Sequence, residues 1–315
     1  MAIAFAFDLL IGDPRWFPHP VKLIARFASR LESLTRGFFR SARIAGVITA
    51  LLVVGVTGLI TYTLVRSASR VDPIVGDVVS MFIIYTGLAC RDLMAHSLSV
   101  WAALRQGDIE TARSRVAMIC GRDTARLDEA GVVKATVESV AENLVDAVTA
   151  PLFFAVLAGP VGIMAYKAVS TLDSMFGYRD ERYIEFGWAS ARLDDAAAFL
   201  PSRITGILVP VAAFFLGLRV RDALRVFLRD RLKHPSPNAG HTEAAAAGAL
   251  GIQLGGLSHY GGLPSLKPTL GDALTPAAAG HIIDINRLLL VASILVLALF
   301  MGTHALCMLV WTKPA

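Results

Sequence analysis

The run IAGVITALLVVGVTGLITYTLV, from Ile44 to Val65, contains no charged residue and decides the class of the fold. At about 1.5 Å per residue, a helix of this length crosses the roughly 30 Å hydrocarbon layer of a bilayer. The composition agrees, because 55% of the 315 residues are hydrophobic, 17% are charged and the mean hydropathy is +0.59. We therefore expect a multi-pass helical integral membrane protein.

Four further apolar stretches are candidate membrane spans. Two are clear spans, and they are 74–90 and 288–311. Two are doubtful, and they are 147–166 and 203–218. Pro151 and Gly159-Pro160 interrupt the first doubtful stretch, and the second is barely long enough to cross. Both are expected to span as a pair or to be re-entrant and buried against protein. The predicted fold class is all-α, in one membrane-embedded domain over residues 1–315 with amphipathic helices.

Basic residues set the orientation of the chain. They cluster between residues 15 and 43 and again between residues 219 and 233, and both segments are expected in the cytoplasm. Crossing twice between Ile44 and Cys90 returns the region from Arg91 to Asp146 to the cytoplasm. The loop 167–202 is also placed there by preference. The net charge of +5 supports adhesion to an anionic lipid bilayer, and no nucleic-acid motif is present.

Acidic residues repeat at helical spacing in VESVAENLVDAVTAPLFFAVLAG, which begins at Val137. Glu138, Glu142 and Asp146 follow one another at i, i+4 and i+8, with Asn143 beside them. On one α-helix these carboxylates share a face and repel one another, so a divalent metal bound through oxygen would stabilise them. The alternative is a solvated face paired with Lys134 or a distant Arg.

Local signals elsewhere are helical, and regular strand alternation is absent. Asp108 or Thr111 is predicted to begin one helix, and Asp123 is predicted to cap another. Gly251 and Gly255 form a GxxxG pair, which predicts close packing between helices.

The run GDPRWFPHPVKLI, from Gly12 to Ile24, places His19 between two prolines. Prolines on both sides restrict the backbone to extended geometry, so they fix the direction of the imidazole. Such a His suits a ligand contact or proton transfer. The alternative is a rigid elbow that leads into an interfacial helix.

A turn-rich segment, YKAVSTLDSMFGYRDERYIEFGWASARLDD, runs from Tyr166 to Asp195. Two cations, a carboxylate and a phenol in this segment suit a polyanion site. They are the side chains of Lys167, Arg179, Asp173 and Tyr178. Lys167 could alternatively snorkel from a helix end. Adjacent Asp194 and Asp195 need water, a metal or a cation to relieve their repulsion. Arg203 follows at the entrance to an apolar stretch, where Arg more often marks a membrane boundary.

The last run, HPSPNAGHTEAAAAGALGIQLGG, begins at His234. Its prolines and Gly240 predict a turn with Ser236 and Asn238, and Thr242 is predicted to cap the helix that follows. The first N–H groups of such a helix form an anion site. Glu243 at the helix start would bind a metal, serve as a base or complement the helix dipole.

Four of these runs, in this order and spacing, resemble the CobD/CbiB family of adenosylcobinamide-phosphate synthases. The residues that carry the resemblance are GDPRWFPHPVKLI, ESVAENLVDAVTAPLF, KAVSTLDSMFGYRDERYIEFGWASARLDD and SPNAGHTEAAAAGALGIQLGG. They cover nearly the whole chain. Departures are modest: Ala25 and Ala147 stand where Gly is usual, and His241 where Trp is frequent.

The resemblance implies a multi-pass enzyme of the inner membrane with its active site facing the cytoplasm. Members join aminopropanol, or its phosphate, to a propionate carboxylate of the corrinoid cobyric acid. The resemblance also implies that ATP, as a substrate, and Mg²⁺ are required. Other membrane enzymes of the corrinoid pathway are the expected protein partners.

Resemblance and side-chain chemistry together suggest a division of roles. An amide bond requires an activated carboxyl, and ATP can supply it as an acyl phosphate whose charge metal and cations neutralise. The expected Mg²⁺ ligands are Glu138, Glu142, Asp146 and Glu243. The expected substrate and phosphate contacts are Asn143, Tyr178, Arg179, Arg203, Ser236, Asn238, Gly240 and Thr242. The expected catalytic set is Asp173, Asp194, Lys167 and His19. No Walker A motif is present, so a P-loop is not predicted.

The strongest rival interpretation is an ion-coupled secondary transporter. Carboxylates at the edge of apolar helices, and an apolar stretch broken at Gly159-Pro160, are typical of such carriers. The polar motifs, however, cluster in loops and at span ends, and no inverted repeat is detectable. A non-catalytic membrane scaffold would leave so many clustered ionisable residues unexplained.

Overall fold

A computed structural model describes residues 1–13, 19–178 and 180–311, with side chains as far as residue 306. Most of these residues are helical. In chain order the elements are α1 (Ala2–Ile11), α2 (Pro20–Phe38), α3 (Ala42–Val71), α4 (Pro73–Thr86), α5 (Cys90–Arg105), α6 (Ile109–Val116), α7 (Glu129–Leu144), a π-helix (Val145–Thr149), α8 (Ala150–Phe176), α9 (Trp188–Ala197), α10 (Phe199–Phe215), α11 (Val220–Asp230), α12 (Ala239–Leu250), β1 (Leu254–Tyr260), β2 (Leu263–Leu270) and α13 (Gly280–Trp311).

Long apolar helices confirm the prediction of a multi-pass helical membrane protein. In the described part of the chain, those long and apolar enough to cross a bilayer are Ala42–Val71, Pro73–Arg105, Glu129–Phe176 and Gly280–Leu306. A fifth span is added if the pair α9 and α10, bent by 46°, counts as one. The stretches 44–65 and 74–90 lie within the first two helices. The doubtful stretch 147–166 lies within the third, and 203–218 largely within the bent pair.

The break expected in 147–166 occurs at one of the two predicted places. Ala158 and Gly159 have non-helical backbone angles, and Gly159 has a φ of 58°, which L-residues with side chains rarely adopt. Pro160 follows and has no N–H for the helical ladder. Pro151 causes no break, and the helix continues without interruption from α7 through the π-helix, Val145–Thr149, into α8.

The chain divides into two compact units. The first comprises residues 1–89, 150–198 and 300–315, and it contains α1–α4, α8 and α9. Here α3 contacts α2, α4, α8 and α9. Gly46 makes the contact with the segment before α9 possible, because a Cβ at this position would lie 1.8 Å from the Phe186 carbonyl oxygen. Phe186 packs edge-on against Phe176 at 5.1 Å between ring centroids.

The second unit comprises residues 90–149 and 199–299 and is built around α12. Every residue of α12 is buried, and most are Ala or Gly, so α7, α10 and α11 can all pack closely on it. A Cβ at Gly248 would lie 2.4 Å from the Asp222 carbonyl oxygen of α11. The prediction of one domain over residues 1–315 stays a prediction, and the two units are described separately.

The expectation of no strands was wrong for residues 254–270, which form an antiparallel hairpin. Tyr260 pairs with Leu263 across Gly261-Gly262, whose φ values are 57° and 81°. Two consecutive residues with positive φ are typical of a type I′ turn, for which Gly-Gly is a favoured sequence. Strand alternation is hidden in the sequence because glycines and a register shift between Leu254 and Gly256 interrupt it.

Carboxylates of the second unit hold this hairpin at three points. Asp123 accepts hydrogen bonds from the N–H groups of Gly261 and Gly262 at 3.3 and 2.7 Å. Glu138 accepts from the Gly255 N–H at 2.7 Å. Buried Asp230 accepts from the Gly271 N–H at 2.9 Å, just beyond β2. The hairpin is therefore a fixed part of the second unit.

Several local predictions are corrected by these contacts. Asp123 does not cap a helix, because its carboxylate binds the hairpin turn. Gly251 and Gly255 do not pack helices together, since Gly251 ends α12 in the left-handed conformation and Gly255 lies in β1. Thr242 does not cap α12, which begins at Ala239, and its hydroxyl donates to the Ala239 carbonyl at 3.2 Å. The cap predicted at Asp108 is confirmed by its bond from the Thr111 N–H at 2.9 Å.

Candidate functional site

Helix α7 positions the acidic residues that the sequence singled out. The helix begins at its N-cap Asp128, whose carboxylate accepts from the Gly131 N–H at 2.7 Å. Glu138 and Glu142 lie one turn apart on α7, whereas Asp146 lies in the π-helix, so the three do not follow one continuous α-helical repeat. Glu142 nevertheless interacts electrostatically with both Asp146 and Glu138. π-Helical segments of this kind occur often at functional sites.

Glu138 forms a buried ion pair with Arg122, whose Nη2 donates to Oε2. Its other carboxylate oxygen accepts from the Gly255 N–H at 2.7 Å. Burial lowers the pKa of Arg122, but the charge and hydrogen bond of Glu138 outweigh burial and raise it above its usual value. The guanidinium therefore stays charged in the protein interior.

Helix α12 adds Glu243 to this group. The side chain is buried, and its Oε1 lies 3.7 Å from Nε2 of His234. Burial raises the pKa of Glu243 well above its usual value, with further contributions from Glu142 and Glu138, although Lys267 and Arg122 oppose the rise. Burial and the charge of Lys267 lower the pKa of His234. A carboxyl that favours its proton thus lies next to an imidazole that favours the neutral form.

The hairpin contributes Lys267 from β2, where it pairs in register with Gly256. Its Nζ lies 5.5 Å from the centroid of the Tyr260 ring. Burial lowers the pKa of Lys267, but the contact with Tyr260 and the charge of Glu243 outweigh burial and raise it. We call Arg122, Glu138, Glu142, His234, Glu243 and Lys267 the charged cluster.

The charged cluster does not present a ready site for Mg²⁺ among the described residues. Within residues 1–13, 19–178 and 180–311, no group of three or more His, Cys, Asp or Glu side chains is placed to hold a metal ion. Both carboxylate oxygens of Glu138 already accept hydrogen bonds, so this side chain as it stands does not fit the role. Metal ligation by Glu142, Asp146 and Glu243 stays a prediction, and we assign no reaction step to a metal.

A cavity of about 1000 Å³ opens beside the charged cluster in the second unit. Its walls are the segment from Arg122 to Lys134 and the hairpin, and we call it the hairpin cavity. Its charged and titratable lining residues are Arg122, Asp123, Arg126, Asp128, Lys134 and His259. This volume is at the upper end of the range of about 300–1000 Å³ for small-molecule sites.

The start of α12 brings together several predicted contacts in the second unit. The Asn238 side-chain oxygen accepts from the Ser202 hydroxyl at 3.2 Å and from Arg203 at 3.3 Å. The Ser236 hydroxyl accepts from the N–H groups of Asn238 and Ala239 at 3.3 and 3.2 Å. A Cβ at Gly240 would lie 2.5 Å from the Arg231 carbonyl oxygen. Here these residues support the turn, and Asn143 likewise binds its own helix through the Ser139 carbonyl.

Other predicted site residues belong to the first unit. His19 is the N-cap of α2, where its Nδ1 accepts from the Val21 N–H at 3.3 Å and its Nε2 lies 3.5 Å from Asp13. Lys167 and Asp173 lie on α8, Asp194 lies on α9, and Tyr178 is exposed beyond α8. Residues 14–18 of the first motif and Arg179 lie outside the described residues. Roles for these side chains stay predictions.

Sequence reasoning missed three members of the charged cluster. Arg122 and Lys267 each lie in a short polar segment without a familiar motif. His234 begins a run that was singled out, and the turn after it was predicted, but its contact with Glu243, nine residues later, was not. The signal that could have found Lys267 was the Gly-Gly pair at 261–262, which is typical of a hairpin turn. A hairpin there places Lys267 of the second strand near the first strand, which Glu138 binds.

Comparison with known proteins agrees with this arrangement of motifs. The sequence profile of a family described as "CobD/Cbib protein" matches residues 1–289. Among curated proteins, the cobalamin biosynthesis protein CobD of Geobacter metallireducens is 50% identical over 276 residues, which is 88% of this chain and 87% of that protein. The CobD protein of Leptospira interrogans serovar copenhageni is 44% identical over 295 residues, 94% of each chain.

A third relative carries the other family name. The cobalamin biosynthesis protein CbiB of Salmonella typhi is 43% identical over 305 residues, 96% of each chain. No solved structure is significantly similar to the chain. Because the profile and the relatives extend over nearly the whole length, the chain belongs to the CobD/CbiB family.

Proposed function

We propose that this chain is a membrane-bound enzyme of cobalamin biosynthesis that forms an amide bond with the energy of ATP. The family membership and the names of its relatives support the role in cobalamin biosynthesis. The proposed reaction joins aminopropanol, or its phosphate, to a propionate carboxylate of adenosylcobyric acid. The product is adenosylcobinamide or its phosphate. Mg²⁺ is expected to accompany the ATP.

One observation carries the proposal for the reaction. A buried carboxyl, a neutral imidazole and two permanent cations lie together in the second unit, and one of the cations, Arg122, lines a large cavity. Amide formation from a carboxylate and an ammonium releases one proton and passes through an anionic acyl phosphate. A site for this reaction therefore needs a proton acceptor and fixed positive charge, and the charged cluster has both.

In the proposed reaction the substrate carboxylate attacks the terminal phosphorus of ATP, and ADP leaves. The amine then attacks the acyl carbon, and phosphate leaves as the C–N bond forms. His234 removes one proton from the substrate ammonium, which frees the amine to attack, and Glu243, 3.7 Å away, orients the imidazole. The second proton of the amine leaves with the phosphate. Arg122 and Lys267 offset the negative charge that develops on the acyl phosphate.

The transporter interpretation is less favoured. The curated relatives are named as biosynthesis proteins rather than carriers. Glu138, the first acidic residue of the motif, holds the hairpin through Gly255 and pairs with Arg122, so it is not an open ion site. We further propose placement in the inner membrane, with the charged cluster facing the cytoplasm. Contacts with other membrane enzymes of the corrinoid pathway are part of the same proposal.

A direct assay tests the proposed function. Membranes that contain the chain are incubated with adenosylcobyric acid, ATP, Mg²⁺ and either aminopropanol or its phosphate, and the corrinoids are followed by mass. We expect a corrinoid heavier by the amine with loss of water, dependent on ATP. Membranes without the chain are the control. Failure to form an amide from either amine would reject the proposal.

A further inference from the structure

Two cationic side chains of the hairpin cavity have no partner among the described residues. Arg126 and Lys134 both line it, and neither has an ion-pair or hydrogen-bond partner among the residues that the structure describes. Arg126 is exposed to the cavity opening, and Lys134 is half-buried on α7. Two unpaired cations in one concave polar site favour an anionic ligand.

The carboxylates of the same cavity are already bound by backbone groups. Asp123 accepts from the N–H groups of Gly261 and Gly262, and Asp128 accepts from the Gly131 N–H at the start of α7. These N–H dipoles partly offset the charge of each carboxylate. The two acidic side chains therefore compete only weakly for Arg126 and Lys134.

Arg122 supplies a second, independent observation. Its side chain is 9% exposed and lines the cavity, and its Nη2 binds Glu138. Its Nε is buried and has no hydrogen-bond partner among the described residues. A buried N–H of a charged group without a partner is costly, so an acceptor supplied by a ligand would remove that cost.

We infer that the hairpin cavity binds a phosphate group, through Arg126, Lys134 and the free Nε of Arg122. Phosphate fits because a guanidinium donates parallel hydrogen bonds to its oxygens while an ammonium adds a point charge. A cavity of about 1000 Å³ holds a whole nucleotide or a small phosphorylated amine. The choice between these two sources rests on the proposed function. The site itself differs from every phosphate contact expected from the sequence motifs.

Binding to the purified full-length chain in detergent tests this inference. Titration calorimetry is carried out separately with ATP, with aminopropanol phosphate and with unphosphorylated aminopropanol. Arg126→Gln and Lys134→Gln are each expected to weaken a phosphate compound about tenfold or more, because each removes a charge-assisted hydrogen bond. Arg126→Lys and Lys134→Arg should keep most of the affinity. Matched controls are Arg115→Gln on α6 and Lys22→Gln on α2, which remove exposed charges outside the cavity.

The possible outcomes distinguish ATP from aminopropanol phosphate as the ligand, and they distinguish the phosphate site from the proposed ligase function. Weaker binding of ATP alone identifies a nucleotide, and weaker binding of aminopropanol phosphate alone identifies the phosphorylated amine. The inference is overturned if the unaltered chain binds neither compound, or if the Gln variants bind both as tightly as the controls do. If the Gln variants bind both compounds normally and the unaltered chain forms the amide, the phosphate site is rejected and the proposed function stands. Weakened binding without any amide product leaves the phosphate site intact and rejects the ligase.

Discussion

Glu243 and His234 are single side chains whose environment gives them a chemical role. Glu243 is buried and His234 is partly buried, and their pKa values move in opposite directions, upward for the carboxyl and downward for the imidazole. Pairs of titratable groups that are shifted apart in this way are typical of acid–base sites. The sequence allowed Glu243 to be a metal ligand, a base or a dipole partner. The contact with His234 favours a role in proton transfer, in which Glu243 orients the imidazole that receives the proton.

Replacement of Glu243 by Gln is expected to reduce turnover about 100-fold, because general base catalysis contributes roughly 10²–10⁴-fold and His234 depends on Glu243 for its orientation. Gln keeps the size of the side chain but cannot exchange a proton. The measurement is the rate of corrinoid amide formation in membranes, at matched protein levels. Glu110→Gln is the matched control, since Glu110 is 78% exposed on α6 and should leave the rate unchanged. Turnover within threefold of the unaltered chain would contradict the role of Glu243.

His241 is a buried imidazole that destabilises the fold at low pH. It is 3% exposed, and neither ring nitrogen has a hydrogen-bond partner among the described residues. Burial, together with the charges of Arg203 and Arg231, lowers its pKa to about 4. The usual value is about 6.5, so between pH ~4 and ~6.5 the unfolded chain binds more protons than the folded chain. Stability contributed by neutral His241 is complete above about pH 6.5 and is lost as the pH falls through this window.

His241→Phe is therefore expected to raise the melting temperature, and to raise it more at pH 5 than at pH 7.5. Removal of two unpaired buried nitrogens contributes about 1 kcal/mol or more at either pH, and loss of the titration adds to this at pH 5. Thermal unfolding of the purified chain in detergent measures both effects. His304→Phe changes an exposed imidazole and should leave the pH dependence as it was. An equal shift at both pH values would mean that His241 does not titrate as described.

At the scale of elements, apolar length and the cap at Asp108 were readable from the sequence, while the hairpin and the start of α12 were not. A long uncharged run such as 44–65 can satisfy its own backbone hydrogen bonds in a bilayer only as a helix, so α3 could be predicted. Asp108 followed the simple capping rule. Residues 254–270 were missed because Gly255 and Gly256 interrupt the alternating pattern of β1. The start of α12 was predicted too late because Thr242 looked like a cap. Its true start depends on Asn238 and Gly240 fitting against other segments, which no local signal reveals.

The hairpin turn gives a prediction at this scale. Gly262 has a φ of 81° and open space around its Cα, so Gly262→Ala is expected to cost about 1 kcal/mol through backbone strain alone. Hydrogen exchange of the hairpin amides should become faster, and the melting temperature should fall slightly. Gly280→Ala is the control, because Gly280 begins α13 without positive φ or close neighbours. Unchanged protection in Gly262→Ala would contradict the assigned turn type.

The whole molecule has an expected orientation that follows from its basic segments. With the region from Arg91 to Asp146 in the cytoplasm, the ends of α3 and α4 near Asp72 face the other side. Ser114 and Ser67 are exposed on α6 and on the end of α3, so Ser114→Cys and Ser67→Cys report the two sides. In a chain without its three natural cysteines, an impermeant maleimide should label Ser67→Cys in intact spheroplasts. Ser114→Cys should react only after the membrane is opened.

The reverse labelling pattern would overturn the proposed orientation. Labelling of both positions from the same side would instead mean that the helix Pro73–Arg105, which lies between them, does not cross the membrane. Neither result depends on enzymatic activity, so this test is independent of the proposed reaction.

The interleaving of the two units along the chain has a consequence for biogenesis. Residues 1–89 need residues 150–198 to complete their packing, and between them the ribosome must make a segment that belongs to the other unit. At about 5–20 residues per second, that wait is on the order of ten seconds. During it, α3 and α4 are exposed to lipid and to other nascent helices without α8. The newborn protein is therefore most vulnerable to membrane proteases and insertion errors midway through translation.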